Sequence, residues 1–188
     1  MPLLVESVRA GARAIQLRER DLPTRQVMAL AAEVIAAVRP LGAKVLLNDR
    51  LDVVMALGAD GVHLRSDSLP VGVARRLLGD GPLIGVSVHA AEEAERAERE
   101  GADFVVFGPI YETPSKQAYG LPVGPKALED AARRCRLPIF AVGGLTAERA
   151  QEVRRAGARG VAVISSILGA PSVGQATQAM IESLGQTT

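Results

Sequence analysis

Five times along the chain a helix-patterned stretch ends in Gly-Ala, and a short apolar run follows. The repeats are Gly11-Ala12 before Ala14-Ile15-Gln16-Leu17, Gly42-Ala43 before Val45-Leu46-Leu47, Gly58-Ala59 before Gly61-Val62-His63-Leu64, Gly101-Ala102 before Phe104-Val105-Val106-Phe107, and Gly157-Ala158 before Gly160-Val161-Ala162-Val163. A glycine past a helix end commonly takes the left-handed conformation that closes the helix. A short continuous apolar run after it reads as a buried parallel strand. Recurrence of the unit marks a repeat architecture, and strands alternating with helices argue for parallel βα units.

The pattern predicts seven strands: Ile15–Arg18, Val45–Asn48, Gly61–Leu64, Leu83–Val88, Phe104–Ile110, Ile139–Val142 and Val161–Ser165. Helices are predicted over Leu3–Ala10, Pro23–Arg39, Leu51–Leu57, Val71–Leu78, Ala91–Glu100, Pro125–Arg134, Ala147–Ala156 and Val173–Leu184, with Pro23 at a first helical position and Thr146 as an N-cap. The predicted fold class is α/β, a TIM-type (β/α)8 barrel lacking its first strand, over a single domain of residues 1–188. A doubly wound open sheet is the competing architecture. Without a strand ahead of Leu3, the first and last strands would present unpaired edges, a liability that a homodimer, or a strand encoded upstream, would cover.

The segment Pro138–Ile167 carries the first chemical signal. One apolar run ends in Gly143-Gly144, the other in Ser165-Ser166, and a polar helix lies between them. Glycine lets the backbone approach a ligand, and helix N-termini favour anions. Phosphate sites in these barrels often follow strands seven and eight. The two turns therefore read as halves of a phosphate cup, the plain reading being a tight glycine turn.

Composition narrows the class. The length suits one domain with a substantial core. The net charge of +1 and an aromatic content of 3% argue against a nucleic-acid surface. The single Cys135 excludes an internal disulfide and a cysteine zinc site. No apolar run reaches membrane-span length and no signal-peptide layout is visible, so a soluble cytoplasmic protein is expected.

In parallel barrels the chemistry sits at the C-terminal ends of the strands. The polar residues predicted there are Gln16, Arg18, Glu19 and Arg20; Asn48, Asp49 and Arg50; His63, Arg65, Ser66, Asp67 and Ser68; Ser87 and His89; and the long loop Tyr111–Gly124 with Thr113, Ser115 and Lys116. Arg18, Arg20 and Lys116 are cations at the rim, and Asp49 is a carboxylate able to hold Mg2+ or to cap the following helix. The hydroxyls of Thr113, Ser115 and Ser165 suit phosphate oxygens. Lysine is scarce, which favours a compact point charge at Lys116, and the loop around it is longer than an ordinary βα connection. Together these features suggest two anionic substrates or one long one. Arg18 with Glu19 also suits a surface ion pair of little value, and His63 and His89 suit satisfied, partly buried histidines.

In their order and spacing, Gln16-Leu17-Arg18-Glu19, Asn48-Asp49-Arg50, Gly61-Val62-His63, Gly85-Val86-Ser87-Val88-His89, Phe107-Gly108-Pro109-Ile110 with Thr113-Pro114-Ser115-Lys116, Gly143-Gly144-Leu145-Thr146 and Val163-Ile164-Ser165 resemble the thiamine-phosphate synthase family. That family includes thiazole tautomerase-like members. The resemblance implies a transferase that joins a pyrimidine methyl diphosphate to a thiazole phosphate and releases pyrophosphate. It implies that Gln16, Arg18, Asn48, Ser87 and Lys116 hold the pyrimidine diphosphate, with Arg18 and Lys116 catalytic. Thr113, Ser115, Gly144, Ile164 and Ser165 would hold the thiazole phosphate, and Asp49 would bind Mg2+.

The chain departs from the family pattern in four places. Arg20 stands where lysine is usual. Ser68 replaces a second magnesium aspartate, leaving Asp67, one residue earlier, as its substitute. Pro109 stands where tautomerase-like members place a histidine, so that His89 or Glu112 would have to move the proton there. The first strand is missing. An isomerase and a non-catalytic phosphate-ligand binder are the alternatives these departures raise.

Overall fold

A computed structural model describes residues 1–113 and 121–185. After helix α1 (Pro2–Arg9) the chain alternates strand and helix: β1 (Ala14–Leu17), α2 (Thr24–Val38) with a 3-10 turn at Arg39–Leu41, β2 (Lys44–Asn48), α3 (Leu51–Leu57), β3 (Gly61–Leu64), α4 (Val71–Leu78), β4 (Leu83–Val88), α5 (Ala91–Arg99), β5 (Phe104–Phe107), α6 (Gly124–Arg134), β6 (Ile139–Val142), α7 (Ala147–Arg155), β7 (Gly160–Ala162), a one-turn α8 (Ser165–Leu168) and α9 (Val173–Ser183). The strands form one seven-stranded sheet in chain order, every neighbouring pair parallel. The sheet curls inside its helices as a barrel that lacks one strand, and among the described residues no strand joins β1 to β7.

The five repeated glycines have φ of 113°, 86°, 58°, 91° and 99°, the left-handed turn that the sequence pattern demands. Two repeats continue Gly-Ala-Asp, and both aspartates do the same work. Asp60 accepts the Val45 amide at 2.9 Å and pairs with Arg39, while Asp103 accepts the Ile84 amide at 2.7 Å and pairs with Arg75. These carboxylates tie the N-terminal ends of adjacent strands and leave the opposite rim to function.

Inside the barrel, Phe104 lies edge-on to Phe140 with ring centroids 5.6 Å apart, and His63 lies 6.1 Å from Phe104. Gly85 makes room for this stack, since a Cβ there would meet Phe104 ring atoms at 2.1–2.7 Å. Strands β2 to β5 are almost wholly buried, whereas β1 is half-exposed along its free edge. Between the two free edges, α1 packs on α9: Glu6 accepts the Gly174 amide at 2.7 Å, and the buried hydroxyls of Thr177 and Ser7 meet at 3.3 Å.

Several predicted ends shift by one residue, and three differences have a plain physical cause. Strand β5 stops at Phe107, because Pro109 has no N–H for the ladder. Strand β7 stops at Ala162, and Ser165 opens α8, whose Leu168 N–H returns to the Ile164 carbonyl at 2.8 Å. Pro23 precedes α2 with extended ψ of 148° instead of opening it. No helix among the described residues is long and apolar enough to cross a membrane.

Candidate active site

A row of polar contacts crosses the C-terminal ends of β1, β2 and β3. Gln16 Nε2 donates to Asn48 Oδ1 at 3.1 Å, and Asn48 Nδ2 donates to Asp49 Oδ2 at 3.1 Å. Arg65 closes the row from the end of β3, giving its Nε–H to Asp49 Oδ2 at 2.6 Å and its backbone N–H to Oδ1 at 3.1 Å. Parallel pairing of Asn48 with His63 makes this reach short. Asp49 has φ of 58°, the one positive value on a non-glycine residue among those described. An aspartate tolerates that conformation better than most residues, and here it turns the carboxylate sideways to β3. Asp49 does not cap α3, whose N-cap is Arg50. Burial pushes the Asp49 carboxyl up, but hydrogen bonds from Ser68 and Arg65 and the Arg65 charge outweigh it and hold the group below the usual carboxylate range.

One strand further, the buried His63 meets Ser87 through Nε2 and Oγ at 2.8 Å. His89 is exposed, with its Nδ1 2.5 Å from the Gly108 carbonyl oxygen. A cavity of about 200 Å³ opens between β3–α4 and β4–α5 beside this pair, bordered by Arg65, Ser68, Ser87 and Arg96.

The glycine turn after β6 is fastened to the segment after β5. Ile110 and Tyr111 donate their amides to the carbonyls of Val142 and Gly143 at 2.8 and 3.1 Å. Both Gly143 and Gly144 have positive φ, and a Cβ would meet Pro109 at 2.5 Å or the Glu112 carbonyl oxygen at 2.6 Å. Arg149 on α7 donates to the Gly144 carbonyl at 2.6 Å and stacks on the Tyr111 ring, 4.5 Å from its centroid. The Tyr111 hydroxyl donates to Glu152. Burial first, and then the Glu152 carboxylate, push the Tyr111 phenol up to about 12. Thr146 is the N-cap of α7, although its hydroxyl makes no bond to the first-turn amides.

The predicted residues fall into three sets. Gln16, Asn48 and Asp49 join one hydrogen-bonded row, and Ser87 stands one strand beyond it. Arg18 and Arg20 are exposed past the end of β1 with no partner among the described residues. Gly144 lines the turn after β6, Thr113 is half-buried after β5, and Ile164 and Ser165 are exposed at the start of α8, Ile164 at 73%. Ser115 and Lys116 lie outside the described residues. Arg65, His63 behind Ser87, and the Tyr111–Arg149–Glu152 cluster complete the site beyond the sequence-based roles. Strand-end position had drawn attention to Arg65, but only the β2–β3 register gives it a partner. Arg149 lies on a helix and offered no such signal.

These groups as arranged do not fit a divalent ion. Asp49 is engaged by its neighbours, Asp67 is an exposed surface carboxylate 3.5 Å from Arg65 Nε, and Ser68 brings no charge. No group of three His, Cys, Asp or Glu side chains among the described residues could share an ion.

A barrel with a polar row and a glycine turn on its C-terminal rim defines a class: a (β/α)-barrel enzyme that acts on small molecules. Known proteins narrow it. Residues 2–167 match the family model described as thiamine monophosphate synthase, and the chain belongs to that family. It is 43% identical over 180 residues to the thiamine-phosphate synthase of Roseiflexus castenholzii, covering 96% of this chain and 79% of that protein. It is 41% identical over 187 residues to that of Chlorobium luteolum, covering 100% and 88%. The solved thiamine phosphate pyrophosphorylase from Pyrococcus furiosus superposes with a TM-score of 0.89 at 32% identity, covering 98% of this chain and 89% of that one. A 3-hexulose-6-phosphate synthase, at 19% identity and a TM-score of 0.74, shares the fold alone.

Proposed function

We propose that this chain is a thiamine-phosphate synthase: it transfers the pyrimidine methyl group of a pyrimidine methyl diphosphate to the nitrogen of a thiazole phosphate. One observation carries the reading beyond family membership. The Gln16–Asn48–Asp49–Arg65 row and the glycine turn after β6 share a single rim, so two anionic substrates have two separate places to bind.

Gln16, Asn48 and Ser87 hold the pyrimidine, with His63 fixing the Ser87 hydroxyl from behind. Arg18, Arg20 and Lys116 hold the diphosphate. The carbon–oxygen bond to the diphosphate breaks, and its electron pair leaves on the oxygen. The methylene carbon then takes the lone pair of the thiazole nitrogen. Cations gathered at the departing charge give the largest electrostatic help. The amides of the Gly143-Gly144 turn and of Ser165, with the hydroxyls of Thr113 and Ser115, take the thiazole phosphate. Ile164, exposed beside Ser165, presents its backbone to that same group.

The family resemblance implies Mg2+ at Asp49 and Asp67, but these carboxylates as arranged do not fit it. The chemistry derived from this chain's own residues does not pass through it. The tautomerase alternative is weaker, because Pro109 has no proton to move and His89 is tied to the Gly108 carbonyl. The partners are small molecules, and a homodimer is proposed for the free sheet edges, to be read by sedimentation. Purified protein given both substrates is expected to release thiamine phosphate and pyrophosphate in equal amounts. Absence of product at high enzyme concentration overturns the reading.

A further inference from the structure

Asp49 is the best-placed anion of the rim, and its lone pairs are already taken. An ionised carboxylate offers about four acceptor positions. Four donors meet this one: the Arg65 Nε–H, the Arg65 backbone N–H, Asn48 Nδ2 and the Ser68 hydroxyl. The same Nε stands 3.5 Å from Asp67 Oδ1. The Asp49 backbone is pinned as well, by its own N–H on the His63 carbonyl at 3.0 Å.

We propose that Arg65 is the resident cation of this rim, a positioning residue whose guanidinium stands between Asp49 and Asp67 in the place of a divalent ion. The free protein then takes up no metal at these carboxylates and presents an arginine to an incoming diphosphate. Mg2+ binds carboxylate oxygen at about 2.1 Å and gains affinity from the number of charged ligands. To bind here it would have to remove two N–H bonds from Asp49 and sit against a positive guanidinium. Ser68 adds no charge to repay that cost. Arginine suits the place because it is always charged, and its one Nε–H reaches Asp49 while lying beside Asp67.

The metal half of this proposal stands on geometry alone, while the diphosphate half rests on the synthase reading. The first test therefore uses Mn2+ alone, titrated into purified protein and followed by electron paramagnetic resonance. Wild type is expected to show no saturable site over the range in which Arg65→Ala binds one ion, at least roughly ten-fold more tightly. Adding Asp49→Asn to Arg65→Ala is expected to remove that site. Arg65→Gln, neutral and of similar length, decides the matter if the alanine variant does not fold. The proposal is overturned by a wild type that binds Mn2+ as tightly as the variant, or by a folded variant that gains nothing.

The second test uses inorganic pyrophosphate in the presence of a chelator. Wild type is expected to bind it, and Arg65→Gln to bind it roughly ten-fold more weakly. Binding that needs added metal, or that the substitution leaves unchanged, overturns the diphosphate half. An inactive enzyme that still passes the Mn2+ test would remove the synthase reading and leave the resident cation standing.

Discussion

His63 Nε2 and Ser87 Oγ are 2.8 Å apart across neighbouring strands, and the imidazole behind the hydroxyl is buried. The pair fixes where the hydroxyl points as well as holding β3 to β4. His63→Leu deletes the partner of a half-buried hydroxyl, which costs about 0.5–1.5 kcal/mol. Urea unfolding is expected to show that loss, and the KM for the pyrimidine diphosphate is expected to rise. An unchanged midpoint and KM would mean that the contact is incidental.

Gly85 is required by the ring of Phe104. Gly85→Ala drives a methyl group into ring atoms at 2.1–2.7 Å, and the ring is hemmed in by His63 and Phe140. Overpacking of this kind costs about 1–3 kcal/mol. Adding Phe104→Leu is expected to recover part of the loss, so a double-mutant cycle in thermal unfolding reads the coupling directly. Strict additivity of the two changes would contradict the packing described.

Arg149 holds the turn after β6 by its bond to the Gly144 carbonyl and its stack on Tyr111. Arg149→Ala is expected to raise the KM for the thiazole phosphate several-fold while kcat and the melting temperature change little, since an exposed cation–ring contact contributes only about 0.5–1 kcal/mol. A fall in kcat with KM unchanged would place Arg149 in the chemical step instead.

Tyr111 supplies a pH signature. Its phenol is raised from 10.0 to about 12 by burial and by Glu152, so the neutral form belongs preferentially to the folded state. The resulting stabilisation is fully present below pH 10 and is lost as pH rises towards 12. In a Tyr119→Phe protein, where Tyr111 is the remaining tyrosine, phenolate absorbance at 295 nm is expected to appear well above pH 10. A midpoint at 10 would deny the contact with Glu152.

The fold was readable because glycines in left-handed turns recur at each passage from helix to strand, and because buried parallel strands are short and apolar. The end of β5 was signalled by Pro109, whose missing N–H stops the ladder, but the end of β7 was not readable in the same way. An apolar run looks alike whether or not a neighbour's ladder continues beside it, and among the described residues no strand pairs with Val163-Ile164. The site was legible as far as strand ends gather polar groups: Gln16, Asn48, Asp49 and Ser87 were placed by that rule. Which of them touch depends on register, so the union of Asp49 with Arg65 was invisible along the chain, as was the reach of Arg149 back to Gly144.

The sheet has two lips. Gln16 and Arg18 belong to the β1 lip, Ile164 and Ser165 to the β7 lip, and among the described residues no ladder of hydrogen bonds spans the gap between them. The clasp of α1 on α9, through Glu6–Gly174 and Ser7–Thr177, bridges it from outside. A small outward swing of those helices would part the two lips before it disturbed any strand pairing. On the synthase reading proposed above, it would also part the two reactants assigned to those lips, so a substitution in α1 or α9 would act on their spacing from the outer helical layer.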